Sequence, residues 1–224
     1  TIFDLFLSAF EEINVTKNLY VATGFKKECF KDSKSIKIFN PQYESTNMLF
    51  GLWYTLSKIV NFSEDTIVSY GDIIFPKTLL NEISQMDELT IVTDPNWETN
   101  YIGRSSHGFE ECEKCIINAN KNLMVASKDL PKQFTKYSEY IGVFFIPKKF
   151  MSTIMKVLNK LFLRENNLDE PFIFSKTLRK AYLTDFFTYL IMNNFNIKSR
   201  EIFGSWQEID TLQDLLKARG ILNE

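Results

Sequence analysis

The feature that most limits what this chain can fold into is an alternation. Short apolar segments, each long enough for one buried strand, take turns with helix-period segments over the first hundred residues. NLYVATGF (18–25), SIKIFN (35–40), DTIVSYGDIIF (65–75) and ELTIVTD (88–94) read as strands, the third ending near Gly71-Asp72. Between them, YESTNMLFGLWYTLSKI (43–59) puts Leu49, Leu52, Trp53, Leu56 and Ile59 on one helical stripe, with Ser45 or Thr46 as N-cap. PKTLLNEISQM (76–86) carries Pro76 at its first turn, where a missing N–H costs nothing. A β-α-β-α-β order buries each strand between helices and predicts a largely parallel sheet with helices on both faces.

The remainder is looser. KCIINANKNLMVASKDL (114–130) reads as a hairpin and YSEYIGVFFIPKKF (137–150) as a long strand. FMSTIMKVLNKLFLREN (150–166) and LRKAYLTDFFTYLIMNN (178–194) are helices, and NIKSREIFGSWQEID (196–210) gives two short strands before a last helix. The opening stretch TIFDLFLSAFEEI sets Phe3, Phe6, Phe10 and Ile13 on one helical face. The fold class is therefore α/β: a three-layer, Rossmann-like arrangement with a mixed, mostly parallel sheet and helices on both faces. A doubly wound domain normally opens on a buried strand and a glycine-rich turn. This chain opens on a helix. The expectation is a single domain over 1–224 whose first strand and turn lie in about two dozen further residues upstream.

Composition excludes several classes. A net charge of −2, with Lys and Arg scattered, gives no electrostatic case for nucleic acid. No run approaches 18 apolar residues, and the N-terminus lacks the basic n-region of a signal peptide, so a cytoplasmic protein without membrane insertion is expected. Three cysteines, Cys29, Cys112 and Cys115, are an odd number, which fits a reducing compartment. Cys112-Glu113-Lys114-Cys115 has C-x-x-C spacing, but with one histidine, His107, and no second pair it cannot complete a four-ligand zinc site. The 21 Phe are core material.

Several segments, in order, resemble one family. LYVATGFKKECF is similar to the strand–Gly–aromatic–Lys segment of the nucleotidyltransferases that activate sugar phosphates and related metabolites with a nucleoside triphosphate. FNPQYESTNMLFGLW resembles the Asn–x–x–Tyr–x–x–x–Asn segment of their cytidylyltransferase branch, and IVSYGDIIF its strand ending in a metal-binding Asp. EYIGVFFIPKKF and AYLTDFFTYLI resemble its acceptor-side segments. WQEIDTLQDLLKAR is similar to its closing W-x-E-I-D-T-x-x-D-L motif, the most specific part. Within the branch, the enzymes that activate phosphocholine, aminoethylphosphonate or phosphorylated amino-acid-like groups are nearest. The resemblance spans essentially the whole chain and implies a nucleotide-diphospho-sugar transferase-like fold. The family's glycine-rich L-A-A-G-x-G-x-R-L loop, which cradles the triphosphate, is not in these residues. In the family it precedes the position where this chain starts, and it is expected upstream.

The resemblance implies a Mg²⁺-dependent transfer of CMP from CTP to a small phosphorylated or phosphonate head group, with release of pyrophosphate. Such chemistry needs in-line positioning and charge neutralisation, with carboxylates to hold the ion. Asp72 and Asp210 are the candidate metal-holding, catalytic pair, with Glu208 a weaker substitute. Asp72, beside Gly71, sits at a strand end on the crevice side; its bland role is a turn aspartate. For Asp210 the bland role is a helix N-cap, although Thr211-x-x-Asp214 already looks like a capping box. Thr23, Gly24 and Gly71 are candidates to lie against the nucleotide, with an ordinary tight turn as the alternative. Asn40, Ser45, Thr46 and Asn47, near Tyr43, are candidates to read base and ribose. Capping accounts for Ser45 or Thr46, and less well for Asn47 inside the first turn.

On the acceptor side, Arg104 can fork onto a phosphate or stay a surface arginine. Lys114 binds the acceptor or pairs with Glu110 or Glu111. Glu139 can take a cationic amine over the Tyr140 ring, with Gly142 beside them, or these open an ordinary strand. Thr184, next to Asp185, marks a pocket face or the solvated side of a helix. A homodimer is an open option. Rival readings are a UTP- or dTTP-dependent sugar-1-phosphate nucleotidyltransferase, disfavoured by YESTN and EIDT; a glycosyltransferase, disfavoured by a single carboxylate in Ser-Tyr-Gly-Asp; and a non-catalytic nucleotide-binding homologue.

Overall fold

A computed structural model describes residues 2–4, 18–31, 34–59, 64–105, 108–130, 136–163 and 168–221. The helix read over the opening thirteen residues is seen only at 2–4, and His107 also lies outside the described residues. The strands are β1 (Tyr20–Thr23), β2 (Ile36–Phe39), β3 (Thr66–Ser69), β4 (Ile73–Ile74), β5 (Thr90–Asp94), β6 (Lys114–Ile117), β7 (Leu123–Ser127), β8 (Ser138–Ile146), β9 (Lys198–Glu201) and β10 (Gln207–Glu208). The α-helices are α1 (Met48–Leu56), α2 (Lys77–Ser84), α3 (Glu98–Tyr101), α4 (Lys148–Phe162), α5 (Leu183–Met192) and α6 (Leu212–Ile221).

The main sheet runs β7-β6-β8-β5-β9, with β3 also paired to β8. Its nine-residue central strand, β8, is buried along its whole length, as its apolar run dictates. Side chains alternate across it. Tyr140, Phe144 and Ile146 join the core made with α1, α4 and α5, while Ile141 and Val143 join a second core under α2. Within β5, Ile91 and Val92 divide in the same way. Two cores on opposite faces of one sheet make the expected three layers. Phe50, Phe144, Phe162, Phe172, Phe186 and Phe187 sit in the first core, where the Phe144 and Phe187 centroids are 4.9 Å apart.

The mixed α/β class therefore holds, with one change in its hydrogen bonding. β3, β5 and β6 all pair antiparallel to β8, and the parallel ladders among the described residues are β5–β9 and β1–β2. Because β3, β5 and β6 share one partner, they and β9 still run the same way. The co-directional set read from the alternation is present, but β8 is inserted among its members. The β-α-β pattern of the first half could not reveal this, because β8 arrives from the second half of the chain. A consequence is that Asp72 does not end a strand in a parallel pair. It sits between β3, antiparallel to β8, and the two-residue β4.

The start of α1 also differs. Neither Ser45 nor Thr46 caps it. Asn47 does, with extended backbone and its Oδ1 accepting the Met48 N–H at 2.9 Å. Ser45 and Thr46 instead donate back to the Gln42 carbonyl, closing the preceding turn.

Candidate active site

The short antiparallel ladder between β4 and β10 positions the candidate pair. Gln207 faces Ile74 and Glu208 faces Ile73, and the Ile209 N–H donates to the Asp72 carbonyl at 2.7 Å. Asp72 is thus hydrogen-bonded across the ladder to the residue preceding Asp210. Two acidic residues 138 positions apart in sequence reach one cleft because β10 adds to β4. Upstream, Asp94 fixes the approach of β10. This fully buried carboxylate at the end of β5 accepts from Trp206 Nε1 at 2.7 Å, from the Gly204 N–H at 3.1 Å and from the Asn96 N–H at 2.7 Å. Gly204 and Ser205 both have left-handed backbone (φ 68° and 59°), which turns the chain into β10.

Asp72 and Asp210 line a cleft of about 330 Å³ together with Gly71, Glu208, Glu139 and Tyr140. Other walls come from residues the sequence reading did not select: Tyr70, Glu111, Glu113, Lys128, Tyr182 and Trp206. The cleft is acidic. Burial, then the nearby Asp210 and Glu139 charges, push the Glu208 carboxyl up to about 9. Burial pushes Glu139 up to about 8 against the hydrogen bond it accepts from the Tyr101 hydroxyl. Burial also raises Glu113, although it accepts from Tyr70 OH at 2.8 Å and Thr184 Oγ1 at 2.7 Å. Among the described residues, Lys128 is the one cationic side chain lining the cleft, ion-paired with Glu111 and 5.1 Å from the Tyr182 ring centroid.

The opening of α6 separates capping from site chemistry. Thr211 and Asp214 form the capping box, with Thr211 N–H to Asp214 Oδ2 at 2.9 Å and Asp214 N–H to Thr211 Oγ1 at 3.2 Å. Asp210 is therefore not required as the cap. Its Oδ2 pairs with Arg104 Nη2 at 3.1 Å, and Arg104 Nε pairs with Asp214 at 3.0 Å. The Arg104 side chain is only 2% exposed and lies over the Tyr101 ring. It is neither the surface arginine nor the free phosphate fork of the sequence reading: its guanidinium is engaged by two carboxylates. Burial alone would raise Asp214, but its Thr211 and Arg104 partners hold it below the usual carboxylate range.

Other expected residues have structural employment. Lys114 pairs with neither Glu110 nor Glu111; its Nζ donates to the carbonyls of Lys128 (2.7 Å) and Cys112 (3.2 Å). Thr184 and Asp185 are fully buried rather than solvated, Thr184 orienting Glu113 and Asp185 accepting from Ser127 and Ser175. A Cβ on Gly142 would come within 2.7 Å of the Tyr70 ring, and one on Gly24 within 2.6 Å of Tyr43. Both glycines admit an aromatic side chain. Thr23 Oγ1 donates to the Ile38 carbonyl, and Asn40 accepts from Gln42 N–H while donating to Thr46. Thr23, Gly24, Asn40, Ser45, Thr46 and Asn47 form one β1–β2–α1 corner, contiguous with the cleft through Met48. Cys112 and Cys115 are buried free thiols.

Comparison with known proteins agrees with this architecture. No protein-family model matches the chain. A curated relative, CTP:phosphoglutamine cytidylyltransferase of Campylobacter jejuni subsp. jejuni, is 28% identical over 185 residues, covering 79% of this chain and 68% of that protein. CTP:phosphocholine cytidylyltransferase from Streptococcus pneumoniae superposes with a TM-score of 0.65 at 17% identity, over 99% of this chain and 85% of that one. The inositol-1-phosphate CTP transferase from T. maritima gives 0.68 at 18%, over 99% and 82%. A putative glucose-1-phosphate thymidylyltransferase from Bacillus anthracis gives 0.67 at 13%, over 100% and 82%. The fold is that of the nucleotidyltransferases. The curated relative is a cytidylyltransferase, the branch whose segments the sequence resembles.

Proposed function

We propose that the protein is a CTP-dependent cytidylyltransferase that joins CMP to a small phosphorylated or phosphonate head group. The observation that carries this reading is the β4–β10 ladder, which ties Asp72 to the residue before Asp210 inside one acidic cleft. An acceptor phosphate oxygen forms a bond to the α-phosphorus, the bond from that phosphorus to the β-bridging oxygen breaks, and pyrophosphate leaves with the bonding pair. The acceptor is already anionic, so no general base is required.

Mg²⁺ is the ion this reading implies. Among the described residues no three His, Cys, Asp or Glu side chains are arranged to cage a metal. The hard-oxygen pair Asp72 and Asp210 nevertheless fits Mg²⁺, which commonly takes one or two carboxylates and fills its sphere with phosphate oxygens and water. When bound, the ion neutralises charge developing on the triphosphate. Lys128 presents the cleft's cation to the acceptor phosphate. Glu139 and Tyr140 receive the acceptor's head, and Met48 and Gly71 carry the nucleotide side, next to the corner that holds Asn40, Ser45, Thr46 and Asn47.

The test is pyrophosphate release with Mg²⁺, running CTP, UTP, dTTP, ATP and GTP against phosphocholine, 2-aminoethylphosphonate, phosphorylated amino acids and sugar 1-phosphates. Release with CTP and a head-group acceptor supports the reading. Release only with UTP or dTTP and a sugar phosphate replaces it with a sugar nucleotidyltransferase.

A further inference from the structure

Asp210 lines the cleft, but the arginine paired with it does not: Arg104 lies behind the wall, over the Tyr101 ring. Its contacts there close a ring around Asp210. Arg104 Nη2 donates to Asp210 Oδ2 and to Asp214 Oδ2, each at 3.1 Å. Arg104 Nε lies 3.0 Å from Asp214 Oδ1, an ion pair without hydrogen-bond alignment. Asp214 Oδ2 also accepts the Asp210 backbone N–H at 3.3 Å. Asp210 is therefore gripped twice, by Asp214 at its backbone and by Arg104 at its side chain, and the two gripping residues hold each other. Asp214 is fully buried, and its Oδ2 further accepts the Thr211 N–H and hydroxyl. The Asp210 side chain is 24% exposed, and a partly exposed carboxylate without such a tether samples several rotamers.

Two other residues of α6 fasten the same loop. The Gln213 amide donates to the Gly103 carbonyl and its oxygen accepts the Ser105 N–H, while Lys217 Nζ donates to the Ile102 carbonyl at 2.7 Å. These contacts hold the loop to the helix without touching the Asp210 carboxylate. Holding the loop and holding the carboxylate are thus the work of different side chains.

We infer that Arg104 is a positioning residue: it fixes the Asp210 carboxylate in the orientation a divalent cation needs, and does not itself meet substrate. This rests on Asp210 holding the ion of the proposed transferase. Mg²⁺ demands near-ideal octahedral geometry, so a carboxylate set in advance is a better ligand than one that rotates. The guanidinium charge is offset by its ion pair with Asp214, which limits its repulsion of a nearby cation. The planar fork can serve two carboxylates in one fixed arrangement; a lysine at this position keeps the charge and loses the fork.

The experiment titrates Mn²⁺, which takes the same carboxylate, phosphate and water oxygens, calorimetrically into the intact protein, alone and with CTP. Pyrophosphate release is followed in parallel. Arg104→Lys should bind Mn²⁺ about 10-fold more weakly and lower kcat about 10- to 100-fold. CTP binding without metal should not change. In an Asp210→Asn background, Arg104→Lys should cost nothing further in either readout. Gln213→Ala, which loosens the loop alone, should leave Mn²⁺ binding at the parent value. Each variant is checked for a native melting transition. If Arg104→Lys fails that check, Arg104→Gln with Asp214→Asn removes both buried charges together and should show the same weakened Mn²⁺ binding. Unchanged Mn²⁺ affinity without the fork would overturn the inference, as would losses that add in full to those of Asp210→Asn, or a Gln213→Ala variant that reproduces them. Weaker metal-free CTP binding in Arg104→Lys would also overturn it, making Arg104 a phosphate binder. The expected Mn²⁺ pattern without pyrophosphate release from any nucleotide would uphold it while refuting the transferase reading.

Discussion

Replacing Gly142 with alanine isolates one structural demand of the cleft. Gly142 has φ +85°, and a Cβ there would lie 2.7 Å from Tyr70 Cδ2 and 2.8 Å from its Cγ. Two costs follow. Left-handed backbone costs a non-glycine residue about 1–2 kcal/mol. The clash adds about 1–3 kcal/mol, because it falls on the root of a ring that cannot swing aside without breaking the Tyr70–Glu113 hydrogen bond. Gly103 separates the two contributions. Its φ is +76°, yet a Cβ there meets nothing within 4 Å. Gly103→Ala should therefore cost about 1–2 kcal/mol and Gly142→Ala about 2–5 kcal/mol. Gly71, with ordinary φ and open space around it, should tolerate alanine at almost no cost. Urea unfolding followed by tryptophan fluorescence would read all three. Equal losses at 142 and 103 would refute the packing argument, since the Tyr70 contact would then contribute nothing. A further consequence is functional: a displaced Tyr70 frees Glu113 on the cleft wall, so Gly142→Ala should also weaken acceptor binding, whereas Gly103→Ala should not.

Asp210→Asn should leave the melting transition in place, because Thr211 and Asp214 cap α6 without it, while lowering kcat with Mg²⁺ by about 100-fold or more; unchanged turnover would reduce Asp210 to an Arg104 partner. The acceptor's KM should depend on pH through Glu139. An ordinary glutamate ionises near 4.5, whereas burial, with the Glu113 and Asp94 charges, lifts this one to about 8 against the hydrogen bonds from Tyr101 and Cys112. The neutral form thus prevails in the empty cleft at pH 6–7, and its favourable effect on stability, complete below 4.5, is lost as pH rises through 8. A bound ammonium needs the ionised form, so KM for an amine acceptor should fall about tenfold per pH unit between 6 and 7.5, and Glu139→Gln should remove that part of the slope. A slope identical in the variant would assign the dependence to the acceptor phosphate.

What the sequence disclosed and what it hid divide along a physical line. Periodicity located nearly every strand and helix, because burial on one face or two is written into consecutive residues. Pairing is not, and so the insertion of β8 among co-directional strands was invisible from the alternation. The same division runs through the site. Asp72 and Asp210 were legible as strand-end carboxylates within motif-like segments. Glu113 and Lys128 were not, since Glu113 sits inside a C-x-x-C stretch that invites a metal reading and Lys128 is one lysine among many. What marks Glu113 is a pair of hydroxyl donors from Tyr70 and Thr184, 43 and 71 positions away. Arg104 shows the point most sharply. A lone arginine in a polar loop is equally well read as a phosphate fork or as surface. Only the fold reveals that its fork is filled by Asp210 and Asp214. Asp210 thus has a cation beside it before any metal arrives. An ion that also engages Asp210 must share the carboxylate with Arg104 or displace it.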